Sequence, residues 1–237
     1  MEALVRLAVL SLPAVLLAGC GGPEDETATA TAASTTTADL REGRIVVQDT
    51  FSDPTSGWDS RVFEDGEIGY TDGTYRIFVK DENLSFASDA ELAGSLDALR
   101  LEVEATQLVG TSGDIVGARC YTDYGSDTGY IVGIAPARRG AVVAAFRGDD
   151  YRLLESSGEA TDAVRPLREE NQLRVECVAS PDGPTVLTLA VNGQTLVRAE
   201  DETGGREFDG VGLFVDTAEG AAEALFDDLV VTELVPR

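Results

Sequence analysis

An all-β fold, a sandwich or a barrel, is what this sequence predicts. Three observations carry that expectation. From about Arg44 to Leu234, short runs of alternating apolar and polar residues follow one another, punctuated by Gly and Asp. No stretch of this region shows the period of a convincing amphipathic helix. Two dipeptides, Asp72-Gly73 and Asn192-Gly193, sit between such runs, where a type I′ hairpin turn needs positive φ at both central residues.

Taken in order, strands are expected over 45–51, 67–71, 74–80, 83–87 and 99–108. Others follow over 114–122, 129–135, 141–147, 151–155 and 172–179, and then over 185–191, 195–199, 211–215 and 224–234. Residues 89–98 are the one stretch expected to hold a helical turn. Alternation assigns the faces. Leu99, Leu101, Val103 and Ala105 point one way, and Arg100, Glu102 and Glu104 the other. Leu173, Val175 and Cys177 oppose Arg174 and Glu176, while Val116, Ala118 and Cys120 oppose Arg119 and Tyr121. If the two cysteine strands are neighbours, Arg119 lies beside Glu176.

The residues before this region have a different composition. Leu7 to Leu17 is an apolar run too short to span a bilayer, and it ends in Leu17-Ala18-Gly19-Cys20. These four residues resemble a bacterial lipobox. The resemblance implies a signal peptide over 1–19, lipidation of Cys20, and a protein anchored on the outer face of the bacterial cell membrane. Two acyl chains anchor stably where one does not. Residues 20–43, rich in Thr, Ala and Ser, are expected to be a disordered linker, and 44–237 the folded domain. With Cys20 lipidated in an oxidising space, Cys120 and Cys177 remain to form a disulfide.

Composition excludes several functions. The 237 residues hold 18 Lys and Arg against 43 Asp and Glu, a formal net charge of −25. Nucleic acid is therefore not an expected partner, because phosphate binding needs clustered cations. There is no His, so no imidazole base and no His-ligated zinc.

Asp49-Thr50-Phe51-Ser52-Asp53-Pro54 with Ser56-Gly57-Trp58 opens the domain. Gly210-Val211-Gly212-Leu213-Phe214 and Phe226-Asp227-Asp228-Leu229-Val230-Val231 close it. With the two cysteines and Val191-Asn192-Gly193 between them, this arrangement resembles the concanavalin A-like lectin/glucanase domains, including laminin-G-like and keto-disaccharide hydrolase-type relatives. The resemblance implies a two-sheet antiparallel jelly roll whose first and last strands meet. It places Phe51, Trp58 and Phe226 in the core. It also suggests a structural calcium, for which Asp49, Asp53, Asp227 and Asp228 are the candidate ligands.

Two kinds of site come from the faces. Glu102 and Glu104 resemble part of the E-x-D-x-E strand of glucanases, but Arg100 replaces the first Glu, so the catalytic set is incomplete and no enzyme activity is expected. Arg119, Tyr121, Arg147, Arg174 and Glu176 are the candidate ligand-binding residues of a concave sheet, with Gly117, Gly133 and Ala145 leaving room between them. The expected function is non-catalytic binding of an envelope polysaccharide or other surface ligand. A saccharide hydrolase, or a subunit of a membrane-bound sensor or transport complex, is the alternative.

Overall fold

The computed structural model describes residues 40–158, 160–204 and 207–237. The signal peptide, Cys20 and most of the linker lie outside them. The strands are β1 (Leu40–Asp49), β2 (Arg61–Phe63), β3 (Gly66–Thr71), β4 (Thr74–Val79), β5 (Ser85–Leu96), β6 (Ala98–Val109), β7 (Ile115–Asp123) and β8 (Thr128–Ala135). They continue with β9 (Gly140–Arg147), β10 (Asp150–Ser156), β11 (Asn171–Val178), β12 (Thr185–Val191), β13 (Gln194–Asp201), β14 (Phe208–Asp216) and β15 (Ala222–Pro236).

Two antiparallel sheets form. The first runs β13-β12-β11-β6-β15-β4-β3-β2, with β1 also paired to β15, and the second runs β10-β9-β8-β7-β14-β5. The first and last strands therefore meet, with Leu40 opposite Pro236. The inward alternate residues of both sheets make one core. Phe51, Tyr75 and Phe226 are buried in it, and the Trp58 ring packs 5.7 Å from Phe51 and 5.8 Å from Tyr75. Trp58 is thus a core residue.

Two expectations change. The first strand starts at Leu40, so residues 40–43 belong to the domain and not to the linker. Residues 89–96 continue β5 as a strand along β14; the register with β14 overrides the helix propensity of that segment. The short edge strand β2 had no sequence signal. Both hairpin turns form as read: Asp72 and Gly73 have φ of 49° and 83°, Asn192 and Gly193 of 50° and 83°. Gly193→Val is expected to destabilise the domain by about 1–2 kcal/mol, because a β-branched side chain resists positive φ. A urea melt checks this.

Cys120 on β7 and Cys177 on β11 are disulfide-bonded, so the bridge crosses the core from one sheet to the other. The cysteine strands are not neighbours. Arg119 and Glu176 therefore lie on opposite outer faces of the sandwich. Glu176 pairs instead with Arg100 on β6, its cross-strand neighbour, at 2.9 Å.

Candidate functional site

The outer face of the first sheet is a ladder of ion pairs. Arg174 donates to Glu102 at 2.9 Å, and Gln172 faces Glu104 at 3.5 Å. Arg174 and Glu176 are thus removed from the expected binding set by geometry: they lie on this sheet, away from Arg119, Tyr121 and Arg147. Glu102 is paired with Arg174. Glu104 is raised above the usual carboxylate range by burial and by the nearby Glu170 and Asp228.

Three of the four candidate calcium ligands are otherwise engaged. Asp49 accepts from the Phe51 backbone N–H at 2.7 Å, Asp53 from the Thr55 backbone N–H at 2.9 Å, and Asp227 from the Asp228 backbone N–H at 2.8 Å. Each of these three carboxylates caps its own turn. Asp228 occupies a register break in β15 with φ of 49°. Among the described residues no three acidic or Cys side chains assemble as a metal set.

The outer face of the second sheet carries Arg119 and Tyr121, as expected, but as a buried layer. Gly212, Arg119, Ile131 and Ala144 follow one another across β14, β7, β8 and β9. Glycines Gly117, Gly133 and Gly212 let flat groups lie on the sheet. A Cβ on Gly212 would overlap the Asp89 carboxylate, and one on Gly133 would crowd the Phe214 ring. Ala145 faces the core side, opposite Tyr130. Tyr121 is 2% and Arg119 7% exposed, so neither offers a ligand much surface.

Accessible chemistry begins where this layer reaches the rim. A cleft of about 800 Å³ opens between the β7–β8 turn, the β9–β10 turn and the β13–β14 connection. Its walls include Asp123, Thr128, Phe146, Arg147, Tyr151 and Arg152. Asp123 caps the 3-10 turn Tyr124–Ser126 by accepting from the Ser126 N–H, which holds the first wall. Asp201 ties the floor together: it accepts from Arg152 at 2.8 Å and from the Tyr130 hydroxyl at 3.2 Å, joining the edges of the two sheets. Burial alone would raise Asp201, but its bonds from Arg152 and Thr203 outweigh this and hold it below its ordinary range. Burial pushes Tyr130 up to about 12, so its hydroxyl stays protonated.

Tyr151 is 47% exposed on the edge strand β10, its ring 6.2 Å from that of Phe146. Arg147 is exposed nearby, and among the described residues its guanidinium makes no hydrogen bond or ion pair. Of the expected ligand residues, Arg147 alone reaches this cleft as a free group. Tyr151 and Arg152 were missed. They were legible as a strand, but sequence alternation does not say that this strand is an edge.

No family model and no curated protein matches the chain. Solved structures do. A Bacillus subtilis protein of unknown function with a galectin-like fold superposes with a TM-score of 0.60 at 11% identity, over 84% of this chain and 100% of that one. The fold is galectin-like. The carbohydrate recognition domain of Emp47p gives a TM-score of 0.56 at 9% identity, over 84% and 99% of the two chains. An endo-β-galactosidase from Clostridium perfringens that releases GlcNAcα1-4Gal gives 0.55 at 11%, over 85% and 64%. At these identities the likeness is one of fold.

Proposed function

We propose that this galectin-like sandwich is a non-catalytic glycan-binding module, carried by an extracytoplasmic lipoprotein anchored through Cys20. The observation that supports it is the rim cleft, whose lining includes both the exposed Tyr151 ring and the uncommitted Arg147. A sugar presents an apolar C–H face for a ring and hydroxyls for charged groups, and this cleft offers both kinds of partner. The carbohydrate recognition domain of the same fold adds support at the level of architecture.

The test is a binding titration of the whole chain against solubilised envelope polysaccharides, with and without calcium. Saturable binding is expected, and Tyr151→Ala is expected to weaken it about tenfold, the loss of one aromatic contact. Absence of binding to every polysaccharide, at any salt concentration, would sink the reading. The anchor is tested separately. Expressed in a bacterium, the chain should take up labelled palmitate, and Cys20→Ser should abolish the label.

A further inference from the structure

The cleft rests on a buried cation. Arg119 lies under the rim, its guanidinium carbon 5.1 Å from the Phe146 ring centroid and 5.8 Å from that of Phe214. One terminal nitrogen donates to the Tyr121 hydroxyl at 3.0 Å and the other to Ser85 at 3.2 Å. Tyr121 in turn meets Phe146 edge-on at 5.4 Å. Phe146 is therefore in contact with both members of the Arg119–Tyr121 pair, and it is the ring against which Tyr151 lies.

We propose that Arg119 is a positioning residue of the rim cleft, acting through the Phe146 ring on the face that Tyr151 presents to a ligand. The inference rests on the glycan reading for its meaning but on geometry alone for its mechanics. A guanidinium is suited to this place. It is planar and stacks on rings, and it is more weakly hydrated than an ammonium.

Acids set the clamp. Asp89 on β5 faces Arg119 and Tyr121 on β7, and also feels Asp127 and Asp59. Asp216 on β14, cross-strand from Ser85, feels the charges of Arg119 and of Asp114 on the approach to β7. Burial raises both carboxyls to about 6, in spite of the Arg119 charge that acts on each. The Arg119 Nε and the Asp89 Oδ1 are buried without hydrogen-bond partners, so the charges are held by proximity rather than by a closed set of bonds. Charge state therefore acts on the clamp directly. Between pH 7 and pH 5 Arg119 loses both countercharges, and the Phe146–Tyr151 stack is expected to shift.

The experiment uses the whole chain with its six tyrosines replaced by 3-fluorotyrosine, the Tyr151 fluorine resonance being assigned by Tyr151→Phe. The Tyr151 resonance is expected to move between pH 7 and pH 5 with a midpoint near 6, and to lose that response in the Asp89→Asn/Asp216→Asn double variant. Arg119→Lys keeps the charge without the plane, and is expected to displace the resonance already at pH 7. If Arg119→Met folds, it should do the same. A Tyr151 resonance indifferent to pH, or one that titrates unchanged in the double variant, overturns the inference. No ligand is needed for these readings. A wild-type chain that shows the titration yet binds no polysaccharide supports the clamp and removes the glycan reading alone.

Discussion

Replacing Cys120 and Cys177 together by alanine is expected to lower the stability of the domain by about 4 kcal/mol in the loop-entropy model, since the bridge closes a loop of 57 residues. For a domain of ordinary stability this is a large fraction of the whole. The bridge joins β7 to β11, strands of different sheets, so without it only side-chain packing holds the two layers face to face at that point. Both sulfurs are fully buried, which makes the oxidised form slow to reduce without unfolding. Urea unfolding of the oxidised and alanine proteins reads the difference. Equal midpoints would show that the bridge constrains nothing in the unfolded chain. Single Cys→Ala variants should fall close to the double variant, because either change opens the loop.

Stability is expected to rise, not fall, as the pH is lowered from 7 to about 4.5. Asp89 and Asp216 are raised by burial to about 6 in the fold, against an ordinary value of 3.8. An acid whose folded pKa is raised favours the folded state when protonated. Its contribution is complete below the unfolded pKa and is lost as pH climbs through the folded one. The window is therefore about pH 4 to 6. For Asp89 the change is on the order of 3 kcal/mol across it. The lowered Asp201 acts in the opposite sense: the stability it supplies disappears as pH falls below the ordinary carboxylate range. The maximum is thus expected near pH 4–5. Relief of repulsion in a chain of net charge −25 acts in the same direction. A thermal melt series across pH 4–8 tests this, with Asp216→Asn expected to flatten part of the slope. A Tm that falls steadily from pH 7 to pH 5 would contradict it.

Much of the fold could be read from alternation. Leu99, Leu101 and Val103 are inward, Arg100 and Glu102 outward, and the Asn192-Gly193 turn joins the strands it was expected to join. The disulfide was legible for the same reason, since Cys120 and Cys177 both fall on apolar faces. Alternation gives a face but not a sheet, however. That is why Arg174 and Glu176 were grouped with Arg119, although they lie on the far side of the sandwich. Nor does it give depth. Arg119 and Tyr121 read as polar-face residues, yet aromatic neighbours from other strands bury them. The segment from Asp89 to Leu96 shows the same limit: its composition suits a helix, and only a partner more than a hundred residues later makes it a strand. The site was less legible than the fold because its exposed members, Tyr151 and Arg152, depend on β10 being an edge.

The pairing of Leu40 with Pro236 brings the first and last strands together at one end of the sandwich. Both lie at the end of the sandwich where β13 reaches Asp201 and β9 turns into β10, which is the end that contains the cleft. If the chain is tethered through the residues before Leu40, as proposed, the tether leaves from the cleft's own end, and a ligand would have to reach the cleft from the tethered side.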